Sequence, residues 1–273
     1  MLAGCTPTPA PSATPSLPAG VTVELHQLRS DVGPRQAQVR VANASDAAVT
    51  VGAVRVEDPR FEGAATRVIE ARVSTIPAGG AADIRVQLPP VECSVPDDAE
   101  AEAVLEIVAG DGSAEMTASA PDPLGFVAAL HARECLLERV TDAASLAFTG
   151  FTPSPPGEPA ALELTVTPTG DAAATLVGIE RTNLLGFAGL PPEADLYPLQ
   201  REIAATDAEP AVVVLPLTPT RCDPHAVQED KRGTIFGVRV EVDGEAGEVE
   251  LFVGEDMRGR ILSWVASWCG FAG

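Results

Sequence analysis

The feature that most constrains this 273-residue chain is that its body reads as one module written twice. Val21 to Leu28 corresponds to Leu146 to Pro153, and Pro34 to Pro159, at an offset of 125 residues. Asp46-Ala47-Ala48 falls on Asp171-Ala172-Ala173 at the same offset, and Gly52 and Phe61 on Gly178 and Phe187 at 126. Pro90-Val91-Glu92-Cys93 then matches Pro219-Thr220-Arg221-Cys222 at 129. Asp122-Pro123-Leu124-Gly125 with Cys135 matches Asp256-Met257-Arg258-Gly259 with Cys269 at 134. The offset only grows, as small insertions in the second copy require. Units of this length are tandem domains, each long enough to bury its own core, and not the short repeats of a solenoid.

Within each module the apolar residues recur with period two. Thr234 to Val242 puts Phe236, Val238, Val240 and Val242 on one face, and Val39 and Val41, then Leu162, Leu164 and Val166, alternate in the same way. Asp111-Gly112 and Asp243-Gly244 sit between strand-like runs and read as hairpin turns. About seven strands per module are expected, separated by Pro and Gly. Each module then closes with one helix, N-capped by Asp122 in the first copy and Asp256 in the second. Val127, Leu130 and Leu137, and in the second copy Ile261, Trp264, Val265 and Trp268, keep helical spacing. The expected fold class is all-β dominated: two duplicated β-sandwich modules, each ending in an α-helix stapled by a disulfide. The architecture resembles immunoglobulin-like sandwiches, from which the terminal helix and the bridge position depart.

The N-terminus reads Met1-Leu2-Ala3-Gly4-Cys5, followed by a Thr/Pro/Ser/Ala run. Leu-Ala-Gly-Cys resembles the lipobox of bacterial surface lipoproteins of the high-GC Gram-positive type, in which the cysteine carries the lipid. The resemblance implies a chain trimmed to its mature start, lipid attachment at Cys5 and a flexible tether, and so anchoring at the outer face of the cytoplasmic membrane. The expected organisation is a lipobox remnant and tether over 1–19, a first sandwich plus helix over 20–140, and a second over 141–273. With Cys5 assigned to lipid, four cysteines remain, and four allow three pairings. Equivalence of the modules selects Cys93–Cys135 and Cys222–Cys269, pinning each helix to the loop before the sixth strand. Each bridge closes a loop of roughly 40 to 50 residues, worth about 4 kcal/mol on chain-entropy grounds.

Composition excludes several functions. With 39 acidic against 18 basic side chains the net charge is −21, which leaves no basic footprint for nucleic acid and opposes adsorption to anionic lipid. The sequence lacks C-x-x-C, H-E-x-x-H, G-x-S-x-G, G-x-G-x-x-G and Walker A patterns. The three histidines, His26, His131 and His225, are not spaced as metal ligands. No catalytic residue, cofactor or metal is therefore assigned, and the chain is read as not an enzyme. From Glu92 to Asp122 nine acidic residues occur with no Lys or Arg, among them Asp97, Asp98 and Glu100, whereas residues 24–85 hold eight arginines. This acidic side is a candidate docking face for a basic partner, or for Ca²⁺, although its spacing is not that of a calcium loop. Trp268 is the candidate exposed aromatic, since it replaces Glu134 of the first copy, while Trp264 replaces Leu130 and reads as core. The function expected is a non-catalytic binding or scaffolding module for a protein or cell-envelope partner at the membrane surface. The alternative is an extracytoplasmic hydrolase with an acidic site between the two modules.

Overall fold

The computed structural model describes residues 16–96, 98–110, 112–191, 193–229 and 231–271. Cys5 and nearly all of the predicted tether, with Asp97 and Asp111, lie outside the described residues. The chain divides into two units, Met1–Ala132 and Arg133–Gly273.

The first unit carries β1 (Val21–His26), a short α1 (Arg29–Val32), β2 (Gln36–Asn43), β3 (Val49–Glu57), β4 (Ala65–Arg67), β5 (Ser74–Ile76), β6 (Ala81–Gln87), β7 (Glu102–Ala109) and β8 (Gly112–Ser119). A longer helix, α2 (Phe126–Ala143), follows. The second unit continues with β9 (Ala144–Thr152), β10 (Ala160–Pro168), β11 (Ala174–Glu180), β12 (Leu185–Phe187), β13 (Leu196–Ile203) and β14 (Ala211–Pro219). It ends in α3 (Pro224–Glu229), β15 (Ile235–Val242), β16 (Glu245–Phe252) and α4 (Glu255–Trp268). Among the described residues each unit thus has eight strands where about seven are expected; three-residue strands such as β4 and β12 are too short to announce themselves by alternation.

All the named strands pair antiparallel. In the second unit the two sheets run β9-β10-β14-β12 and β13-β11-β15-β16. In the first, β1-β2-β6-β4 and β5-β3-β7-β8 follow the same order, and β4 also pairs with β3 to join them into one sheet. Adding eight to every strand number turns one arrangement into the other. Both β3 and β11 also carry a bulge opposite the seventh strand of their unit, between Val51 and Val54 and between Leu176 and Gly178.

Strand register corrects the sequence alignment at one point. Val21 pairs with Asn43 across the first hairpin, but Leu146 pairs with Val166 and not with Pro168 across that of β9 and β10, so a single offset of 125 does not hold for both strands.

The core is made of inward-facing residues at alternate positions. Phe236, Val238, Val240 and Val242 are all buried, as are Leu162, Leu164 and Val166 on the opposing sheet. The Phe148 and Phe236 rings meet at 5.3 Å between centroids, bringing β9 of one sheet against β15 of the other. In the first unit Val21, Val23, Leu25, Val39, Val41, Val51, Val54, Val56, Ile84 and Leu105 are buried on the same principle.

Turns and caps differ in detail from expectation. Asp243 (φ 55°) and Gly244 (φ 79°) form a two-residue loop between Val242 and Glu245, the left-handed pair that matches strand twist. In the first unit Ala109 pairs with Gly112, so Gly112 belongs to the strand and not to the turn. Asp122 acts from ahead of α2, its Oδ2 accepting the Val127 amide at 2.8 Å, and the helix starts at Phe126. Gly254 precedes α4, and Asp256 sits inside the first turn beside Glu255, where the helix dipole favours negative charge.

The largest departure concerns α2, which crosses from one unit to the next. Val127, Leu130 and His131 are buried in its first half, which belongs to the first unit. Leu136, Val140 and Ala143 join the core cluster of the second unit. Leu137, expected inside, is exposed. Gly247 of β16 leaves the space into which Leu136 packs, since a Cβ there would strike the Leu136 methyl, and Arg139 pairs with Glu245 at 2.8 Å. The division between units therefore falls within the helix and not after residue 140.

Cys222 is bonded to Cys269, with Cα atoms 5.3 Å apart and a sequence separation of 47. Cys93 and Cys135 are also disulfide-bonded. Cys93 and Cys222 follow the sixth strand of their units and precede the seventh, not the sixth as the lower strand count implies. Replacing both Cys222 and Cys269 by Ser is expected to lower the unfolding free energy of the second unit by about 4 kcal/mol, read as a fall in urea midpoint with a rise in m as the unfolded chain loses its cross-link.

Candidate functional site: an acidic cleft in the first unit

β3 ends at Glu57, and the chain then turns through Asp58, Pro59 and Arg60 to Phe61. That turn is held by a buried ion pair. Arg60 donates through its backbone N–H (3.0 Å) and its Nε (2.9 Å) to Asp58 Oδ1, and through a terminal nitrogen to Oδ2 (2.7 Å). The forked geometry matches guanidinium to carboxylate and compensates the burial of both charges. Phe61 is buried below, and its backbone bridges Val91.

β7 begins beside this turn, so Glu102 lies directly across the ladder from Glu57 and, on its other side, from Ser119. Together with Glu100 these residues border an open cleft of about 670 Å³ whose lining includes Asp58, Phe61 and Ser119. Like charges directly opposite on neighbouring strands repel. Arg55 partly offsets this, its Nε donating to Glu57 at 2.8 Å while its terminal nitrogens engage both oxygens of Glu115.

The acidic run from Glu92 to Asp122 therefore serves several separate purposes. Asp122 caps α2. Glu92 accepts from the hydroxyl of Ser94 at 2.7 Å and from its backbone N–H at 3.1 Å, which lower its carboxyl pKa in that order. Glu106 accepts the Ala53 amide at the β3 bulge (3.0 Å), and this bond, with one from Ser113, lowers its pKa. Gly52 leaves room for this approach, since a Cβ there would displace the Glu106 carboxylate. Glu115 is lowered by Arg55, whose own pKa is raised first by Glu115 and then by Glu57. Of the predicted docking residues, Glu100 reaches the cleft, Asp98 is exposed outside its lining, and Asp97 lies outside the described residues. Glu57 was missed by sequence reasoning because it precedes the acidic run and arrives only through pairing with β7.

Trp268 is not a free aromatic. It is half-buried against the core of its own unit, and its Nε1 donates to the Glu158 carbonyl at 3.0 Å. Trp264 donates likewise to the Ser154 carbonyl at 3.1 Å, and Arg260 to that of Phe151. These three donors lie on one face of α4 and satisfy carbonyls at the end of β9 and in the loop before β10. His131 is buried in α2 with its Nε2 3.0 Å from the Glu92 carbonyl oxygen. His26 lies 3.2 Å from Glu24, and His225 is exposed. Among the described residues no group of three or more His, Cys, Asp or Glu side chains is placed to hold a metal.

No family model matches the chain, and no curated protein matches it. Among solved structures it is similar to the CupB2 chaperone of Pseudomonas aeruginosa, at 12% identity over 82% of this chain and 95% of that one, with a TM-score of 0.23. A chaperone–tip adhesin complex of the Csu pili of Acinetobacter baumannii matches at 11% identity over 80% and 91%, with a TM-score of 0.20. A red sea bream transglutaminase matches at 12% identity and a TM-score of 0.25 over 86% of this chain, which spans only 32% of that enzyme. The fold is mostly antiparallel β, and likeness at this level carries nothing about activity.

Two outcomes follow for the first unit. Glu102→Gln removes one of two opposed carboxylates and is expected to raise its stability by about 0.2–1 kcal/mol, measured by chemical denaturation. The lowered carboxyls of Glu92, Glu106 and Glu115 contribute stability that is present above the ordinary carboxylate range. That contribution is lost as pH falls through the range toward their lower native values. Unfolding midpoints should therefore drop below about pH 5, and Glu106→Gln should flatten that dependence.

Proposed function

We propose that this chain is the extracytoplasmic part of a bacterial surface lipoprotein, a non-catalytic module that binds or scaffolds a protein or cell-envelope partner. The observation that carries the reading is that two units share one strand order, each with a disulfide-bonded cysteine in the loop after its sixth strand and another on or at the end of the helix following its eighth. We take this as a duplication in which Cys93 pairs with Cys135 as Cys222 does with Cys269. Repeating a cross-linked sandwich multiplies presented surface without adding chemistry, which suits a partner engaged by shape and charge. Disulfides favour an oxidising compartment, and no helix among the described residues is long and apolar enough to cross a membrane. In this reading anchoring falls to lipid on Cys5, within Leu2-Ala3-Gly4-Cys5. The cleft bordered by Glu57, Glu100 and Glu102 is the face assigned to a basic partner.

The test is crosslinking of the lipidated protein on intact cells, with the Cys5→Ser form as control. Recovery of one envelope component by the anchored form, reduced by joint replacement of Glu57, Glu100 and Glu102 with Gln, is the expected outcome. Equal recovery by the unanchored form would remove the anchor from the proposal, and indifference to the three Gln substitutions would remove the cleft.

A further inference from the structure

Against a net charge of −21, one cavity of the first unit has the opposite character. It measures about 320 Å³, and Gln38, Arg67, Val68, Ile69, Arg72 and Arg85 contribute to its lining. Arg67, at the end of β4, is only 6% exposed. Its guanidinium donates to the Gly52 carbonyl at the β3 bulge (2.5 Å) and to the Ser74 hydroxyl (2.7 Å). These acceptors, and the Val51 carbonyl at 3.5 Å, are neutral, and among the described residues no carboxylate pairs with it. A cation so placed bears a desolvation cost that neutral acceptors only partly return. Burial, and then the charge of Arg72, hold its pKa below the ordinary guanidinium value.

The surrounding charges leave that deficit standing. Asp83 also lines the cavity but accepts from Arg40 at 3.1 Å. Asp31 is buried behind it, taking a 2.8 Å bond from Gln38 and lying 3.5 Å from Arg85. The lining thus holds three guanidiniums, of Arg67, Arg72 and Arg85, against the one carboxylate of Asp83. Arg72 and Arg85 are exposed at the rim. Two aliphatic side chains stand beside them, Val68 and Ile69, 41% and 57% exposed.

We infer that this cavity binds an anionic amphiphile, a carboxylate head on a short aliphatic chain, with Arg72 and Arg85 holding the head and Val68 and Ile69 lying along the chain. The head supplies the negative charge that Arg67 lacks, and the chain covers apolar surface that water otherwise meets. This site is separate from the acidic cleft and does not depend on the function proposed above.

Octanoate is the probe, titrated below its micellar concentration into the full-length protein and followed by amide NMR shifts of residues 67–73. Saturable one-site binding is expected. The double variant Arg72→Gln, Arg85→Gln should weaken it about tenfold or more, since each substitution removes a hydrogen bond between charged groups. Arg85 also pairs with buried Asp31, so Arg72→Gln alone, which breaks no ion pair among the described residues, is measured beside the double variant and should weaken binding at the wild-type melting temperature, whereas Arg67 is left intact because it ties the bulge to Ser74. Octyl glucoside, with a like chain and no charge, and inorganic phosphate, with charge and no chain, should both bind more weakly than octanoate. Absence of saturation, unchanged affinity in the folded double variant, or equal binding of either control would overturn the assignment.

Discussion

Packing of aliphatic side chains between two antiparallel sheets, one residue in two from each strand, is the interaction on which the rest of this molecule depends. With aromatics at 4% of the chain, the cores are built mainly from Val, Leu, Ile and Ala, and Phe148, Phe187 and Phe236 form the aromatic centre of the second. Such cores bury less area per residue than aromatic ones, so the ends of the sheets need other closures. In the second unit α4 supplies one, tied by the Cys222–Cys269 bond and by donors from Trp264, Trp268 and Arg260 to carbonyls around the β9–β10 connection. Tryptophan suits this position because its ring adds apolar contact while its one N–H finds a backbone acceptor.

Charge inside the fold follows the backbone irregularities. The β3 bulge leaves an amide and carbonyls outside regular ladder pairing, and two side chains from different strands answer them. Glu106 accepts the Ala53 amide, and Arg67 donates to the Gly52 carbonyl. Glycine at 52 allows the carboxylate to approach. A glutamate, an arginine and a glycine thus meet at the bulge, and Arg67 also lines a cavity. The acidic cleft arises differently, from strand register alone, which sets Glu57 opposite Glu102.

Much of this architecture was legible in the residues. The period-two runs at Leu162–Val166 and Phe236–Val242 identify buried strand faces, because only alternation can face a sheet to a core. The disulfide-bonded cysteines fall in the connection after the sixth strand of each unit, within α2, and at the C-terminal cap of α4; counting strands from alternation alone put that connection one strand too early. The acidic run, by contrast, looked like one surface and is several: a helix cap at Asp122, a turn at Glu92, a bulge acceptor at Glu106 and an ion pair at Glu115. Glu102, Glu106 and Glu115 do share one face of β7 and β8, with Glu106 directly opposite Glu115, whereas Glu92 and Asp122 lie in the connections before and after those strands, where their side chains serve local turns.

By itself the sequence determined the strand-rich class, the two-unit plan, the cysteine positions and the acidity, since these rest on local periodicity, repetition and composition. Only the tertiary structure decided that α2 serves both units, that Trp268 spends its N–H on Glu158, and that Glu57 joins Glu100 and Glu102. It also decided that Arg67 is buried with neutral acceptors in place of a carboxylate. Each of these depends on which strands pair and in what register, and pairing between segments distant along the chain leaves no local trace in the order of residues.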